Sequence, residues 1–117
     1  KNDIIGADLE IQYGNKKVRQ LCEKSAVAEK KLGSACARKL RARLSDLETV
    51  NNVRELATGN PHPLKGDWAG HMAVSLAGGY RLVFAPANDP SPTTTDGGID
   101  WTLVTIVSIE YIGDYHD

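Results

Sequence analysis

The chain has 117 residues, 41% hydrophobic and 25% charged, with a formal net charge of −1. That length suits one domain with a core that needs no metal or disulfides, the composition is that of a soluble globular protein, and no apolar run approaches the roughly 20 residues of a membrane helix. Two cysteines, Cys22 and Cys36, are too few for a secreted disulfide scaffold, and no basic stretch followed by an apolar one opens the chain, so the cytoplasm is the expected compartment.

The charge is unevenly distributed. Ten basic residues stand against two acids between Lys16 and Arg43, a balance of +8, while the remainder sums to −9. Such a block is expected of a phosphate-binding face, or of one that docks an acidic protein; it also reads as the solvated surface of helices rich in Lys and Arg.

Leu9, Ile11 and Tyr13 alternate with Glu10 and Gln12, which predicts a strand buried on one side. Asn15 is placed to cap a short helix whose Val18, Leu21 and Cys22 share one face. Ser25 is expected to cap the next helical segment and Gly33-Ser34 to break it. Cys36, Leu40, Leu44 and Leu47 then form the apolar stripe of a helix reaching about Val50, with Arg38, Lys39, Arg41 and Arg43 mostly off the stripe. Asn51-Asn52 permits a turn, and Gly59 is suited to stop a short helical stretch from Val53 to Ala57.

Asn60-Pro61-His62-Pro63 is expected to be a rigid irregular loop, because each proline lacks a donor and pushes its predecessor toward extended geometry. Beyond it Met72, Val74 and Leu76 alternate, as do Tyr80, Leu82 and Phe84, around Gly78-Gly79. A two-residue hairpin loop would turn these bulky sets to opposite faces. An odd loop with a glycine at positive φ puts all six on one face, so the odd register is expected, with Ser75 and Arg81 on the face away from the helices. Residues 87–98, ANDPSPTTTDGG, read as a mobile polar connection, and residues 100–112, DWTLVTIVSIEYI, as a central strand apolar on both faces. The predicted class is α+β: an antiparallel-dominated sheet, β-α-α-β-β-β, with two or three N-terminal helices on one face and a first strand that could join by a parallel edge.

HPLKGD before the hairpin, YRLVF in its second strand and DYH at the C-terminus resemble the RelE/ParE superfamily of bacterial toxins, most nearly its HigB-like branch, the plasmid-maintenance killer proteins. The likeness runs from Leu9 to His116 apart from residues 87–98. It implies a RelE-like fold and the toxin of a type II toxin–antitoxin system, a ribosome-dependent messenger RNA endoribonuclease that needs no metal or cofactor. Implied partners are the ribosome, its mRNA and a HigA-like helix-turn-helix antitoxin, with no membrane involved. The family's histidine and lysine before the hairpin match His62 and Lys65, its arginine in the second hairpin strand matches Arg81, and its C-terminal pair matches Tyr115 and His116. Where many members carry a basic residue in the first hairpin strand, this chain has Ser75. The same fold also serves ParE-like gyrase inhibitors that act by binding alone, and a non-toxic interaction domain would share it.

RNA can be cut without metal if a base takes the 2′-hydroxyl proton, cations stabilise the charge growing on the phosphate, and an acid protonates the leaving oxygen. His116 is expected to transfer a proton, with His62 as the second such group, Lys65 and Arg81 as the phosphate clamp, and Tyr115 stacking on a base or positioning His116. Lys16, Lys17, Arg19, Arg38, Lys39, Arg41 and Arg43 are the expected contacts to RNA and ribosome. Plainer roles exist for some: His62 as a loop cap, Lys65 as an exposed turn residue, and Trp68 as a cover for the sheet edge. A zinc site from His62, His71 and His116 has no familiar ligand spacing, and Cys22 and Cys36 on apolar faces are poor nucleophiles.

Overall fold

The computed structural model describes residues 8–114. Alternation makes β1 (Glu10–Tyr13) a one-sided strand: Ile11 and Tyr13 pack on the core while Glu10 and Gln12 are exposed. Asn15 then starts α1 (Lys16–Glu23), its side-chain oxygen accepting from the Val18 N–H at 3.0 Å and satisfying one of the donors that a first helical turn leaves orphaned. Ser25 does not cap the next helix, α2 (Ser25–Leu32). Lys24 serves both as the C-cap of α1, its N–H bonded to the Gln20 carbonyl, and as the N-cap of α2, so the two helices leave no room for a capping serine. Gly33, at φ 85°, ends α2 and opens α3 (Ser34–Thr49), which buries Cys36, Ala37, Leu40 and Leu47. The α-helices among the described residues therefore number three, and the stretch expected to be helical from Val53 to Ala57 forms only a 3-10 turn, Val53–Glu55.

The hairpin of β3 (Met72–Ser75) and β4 (Arg81–Pro86) adopts the odd register. Met72 opposes Phe84, Val74 opposes Leu82 and Ser75 opposes Arg81. The Leu76 N–H donates to the Tyr80 carbonyl at 2.8 Å, closing a loop of Ala77, Gly78 and Gly79 in which both glycines have positive φ. Met72, Val74, Leu76, Leu82 and Phe84 join the helix-side core, and Tyr80 packs half-buried against it. Fully burying such a side chain stabilises by roughly 1.5–3 kcal/mol, which is why the register that buries all of them wins.

Two segments differ from the sequence reading. His62 and Pro63, expected to be irregular, form an edge strand, β2 (His62–Pro63), antiparallel to β3. Proline is tolerated there because an outermost strand needs no donor on its free side. The last strand, β5 (Ile106–Gly113), starts later than residue 100: Asp100 Oδ1 accepts from the Thr102 N–H at 3.2 Å and holds Trp101–Leu103 in a 3-10 turn. Residues 87–98 form the exposed polar connection expected of them, anchored at its ends by Asn88 Oδ1, which accepts from the N–H groups of Thr105 and Ile106 at 3.0 and 3.1 Å, and by a bridge from Thr93 to Ile99.

Among the described residues the result is an α+β fold with three helices on one face of a five-stranded sheet in the order β1-β5-β4-β3-β2, where only the β1–β5 pair is parallel. A bulge interrupts β5. Val83 opposes Tyr111 whereas Phe84 opposes Ile109, leaving Glu110 as an extra residue. The slip brings Val107, Ile109 and Ile112 to the helix-side core despite their broken alternation, and sends Tyr111 to the opposite face. There a smaller cluster of Leu64, Ala73 and Val83 is covered by half-buried Trp68 and Tyr111. Among the described residues no helix is long and apolar enough to cross a membrane.

Candidate functional site

The sheet face away from the helices is built in cross-strand rows. His62, Ala73, Val83 and Tyr111 stand opposite one another across β2, β3, β4 and β5. The next row is Ser75, Arg81 and Gly113. Residues directly opposite in an antiparallel pair project to the same side, so His62, Arg81 and Tyr111 share this face. His62 and Arg81 are two strands and one row apart, about 12 Å between Cα atoms from the standard strand spacings.

Each group is oriented by local backbone. His62, half-buried, places Nδ1 2.9 Å from the Asn60 carbonyl. A carbonyl only accepts, so Nδ1 carries the proton and Nε2 of the neutral ring remains available as a base. Arg81 donates through Nη1 to the Gly79 carbonyl at 3.0 Å, which fixes the guanidinium against the hairpin loop. Lys65 is exposed on the loop after β2; its carbonyl accepts from the Trp68 N–H at 3.2 Å and so shapes the turn that carries the indole. Tyr115 and His116 follow directly after β5 and lie outside the described residues.

Sequence reasoning missed Tyr111 as a contributor to this face and named His71 without placing it there. Tyr111 leans along β5 so far that a Cβ added at Gly113 would collide with its hydroxyl, which puts that hydroxyl in the row of Arg81. Only the bulge at Glu110 gives Tyr111 this phase, and no local residue pattern announces it. His71 lies beside the Trp68 ring, edge-on at 5.1 Å between centroids, and Tyr111 lies on another side of that ring at 5.6 Å. Its Nδ1 sits 3.2 Å from the Trp68 carbonyl, so its Nε2 is free of that tether, as in His62. Trp68 thus covers the middle of the sheet face over Ala73 and Val83, not its edge, and forms an aromatic platform with Tyr111.

The basic segment lies on the other side of the molecule. Lys16, Lys17, Arg19, Arg38, Lys39 and Arg41 are all exposed, and Arg19 pairs with Glu23 at 3.2 Å in a solvent-facing contact worth little energetically. Arg43 is engaged differently: it is half-buried, donates through Nε to the Ser75 carbonyl at 3.1 Å, and lies 3.8 Å from Asp46, so its guanidinium braces the hairpin. Between α1, α2 and the end of the sheet lies a cleft of about 680 Å3, with Lys16, Lys17 and Lys31 at its mouth and Leu21, Leu32, Tyr80 and Ile112 inside.

Other chemistries find less support in the geometry. Burial pushes the Cys22 thiol up to about 12, with the Glu23 carboxylate adding to the effect, and burial also raises Cys36, so neither presents a thiolate near neutral pH. Among the described residues no group of three or more His, Cys, Asp or Glu is placed to hold a metal ion. No protein-family model matches the sequence, and no curated protein matches it.

Proposed function

We propose that this chain is a RelE/ParE-superfamily toxin of the HigB-like type, a metal-independent endoribonuclease that cuts messenger RNA on the ribosome in the cytoplasm and is neutralised by a HigA-like antitoxin. The observation that carries this reading is the shared sheet face: the odd hairpin register turns Arg81 away from the helices and onto the side that holds His62 and the Tyr111 hydroxyl. The loop bearing Lys65 opens onto that face through Leu64 and Trp68.

In this reading Arg81 and Lys65 hold the scissile phosphate and stabilise the charge that builds on it. His62 Nε2 takes a proton, and His116 supplies the second transfer that general acid–base cleavage requires. The Trp68–Tyr111 platform offers stacking surface for a base beside the phosphate. The exposed cations of α1 and α3 approach ribosomal RNA through their long-range field.

The test is induction in bacteria without an antitoxin, with the chain and its Lys65→Ala, Arg81→Ala and His116→Ala variants, followed by mapping of RNA ends. Growth arrest by the unaltered chain, lost in each variant, with cuts inside translated messages and none in purified RNA lacking ribosomes, supports the proposal. Toxicity surviving all three substitutions would transfer the reading to a gyrase inhibitor that acts by binding. Normal growth at full expression leaves only a non-toxic interaction domain.

A further inference from the structure

The cleft beside α1 and α2, of about 680 Å3, opens on the helix side of the sheet, opposite the Arg81 face, and is wide open to solvent, as a site for part of a long ligand would be. Lys16, Lys17 and Lys31 are exposed at its mouth, and none of them is in an ion pair among the described residues. Beneath them Leu32 and Ile112 supply apolar surface and Tyr80 lines the wall; Asp114 is the one acid, an acceptor for a ribose hydroxyl or an exocyclic amine.

Cations around an aromatic-walled apolar recess complement a group that is flat and apolar in the middle and anionic on both sides. An unstacked nucleobase between successive phosphates has that form. Exposed Lys24 and Lys30 lie further along α1 and α2, with Arg19 paired to Glu23, so cations outnumber acids beyond the cleft as well, which suits a partner with repeating charge better than an isolated nucleotide.

We propose that the cleft anchors single-stranded RNA, seating one unstacked base against Tyr80 while Lys16, Lys17 and Lys31 hold the flanking phosphates. The site opens on the helix side, meeting the Arg81 row only at Gly113, and rests on the RNA-directed reading above. It would let the protein grip RNA on its helix side while Arg81 and His62 meet another stretch across the sheet.

The experiment is fluorescence anisotropy of a short labelled oligoadenylate over a salt series, with no ribosomes present. Replacing Lys16, Lys17 and Lys31 together by glutamine is expected to flatten the log–log salt dependence by about 2, at about 0.7 per phosphate contact on a single strand. Tyr80→Leu, which keeps an apolar filler, is expected to weaken binding about 5- to 150-fold, the loss of one base–aromatic stack, whereas Tyr80→Phe binds like the unaltered chain. Thermal melts identify a variant that has unfolded, and the exposed lysines keep the test decisive should Tyr80→Leu do so.

An unchanged salt slope in the lysine variant, or unchanged affinity in folded Tyr80→Leu, overturns the proposal. So does displacement of the RNA by charge-matched poly-glutamate as effective as by unlabelled RNA, which would make the cleft a seat for acidic protein, or saturation by free adenylate at the oligomer's affinity. Because the readout is binding to naked RNA, a cleft that passes in a chain harmless to bacteria removes the nuclease reading and leaves the anchor.

Discussion

Replacing Arg43 by alanine separates two roles that a basic helical residue can have. Its Nε donates to the Ser75 carbonyl at 3.1 Å from a side chain only 16% exposed, and Asp46, 3.8 Å from its Nη1, also accepts from Thr58 Oγ1 at 2.7 Å. Ser75 N–H in turn donates to the Gly59 carbonyl at 2.7 Å, so helix, loop and hairpin meet at this one guanidinium. A hydrogen bond from a charged group is worth about 1.5–3 kcal/mol, and a long, partly solvated ion pair adds at most about 0.5 kcal/mol. Arg43→Ala should therefore lose about 2–3 kcal/mol, read as a fall of about 8–12 °C in Tm for a domain of this size. Arg43→Lys should recover little, because an ammonium at the end of a flexible stem does not reproduce the Nε position. Urea and thermal unfolding measure the loss, and RNA binding over a salt series should keep its slope. A variant with unaltered stability and a shallower salt slope would refute the reasoning and return Arg43 to the RNA-contacting surface.

Other outcomes follow from the same coordinates. Gly59→Ala should destabilise by more than about 1 kcal/mol in urea titration, since the residue sits at φ +78° and its new Cβ would meet Arg43 Nε at 2.6 Å. Asn15→Ala removes the side-chain acceptor of Val18 N–H at the start of α1 and should cost about 1 kcal/mol by the same assay. Cys22, raised from 9.0 to about 12 in the folded chain, holds roughly a thousandfold fewer thiolates than an unperturbed cysteine, so iodoacetamide should label it slowly until urea unfolds the protein. The native state keeps that proton longer than the unfolded state does. Its contribution to stability is therefore complete below about pH 9 and declines as pH rises through about 12, a decline that Cys22→Ala should lessen in urea midpoints taken at mildly and strongly alkaline pH. Tyr111→Phe removes only a hydroxyl from the Arg81 row and should leave the Tm within about 1 °C while reducing toxicity on induction; unchanged toxicity would remove that hydroxyl from the site.

Much of the fold was legible because burial alone decides it. The hairpin register follows from six bulky residues that only one loop parity can bury together, and the Asn15 cap from a side chain that has a single good use at a helix start. What escaped reading depends on partners distant in sequence. His62 and Pro63 look irregular on local chemistry and become a strand because β3 offers them an edge. Arg43 reads as one more surface cation until Ser75 arrives beneath it. The candidate face was legible at Arg81, whose alternation with Leu82 specifies where it projects, and not at His62, whose side is decided by pairing with β3, or at Tyr111, whose side is decided by a slip against β4.

That slip has a consequence for how the chain tolerates change. Glu110 works as a spare: take that one residue out and the ladder closes with Tyr111 still against Val83 and Ile112 still against Leu82, inside and outside unchanged. A substitution at Glu110 that preserves chain length keeps the frame. One further residue inserted after it would exchange inside for outside for Tyr111 and Ile112, so the end of this strand should accept the loss of Glu110 far better than a gain beside it.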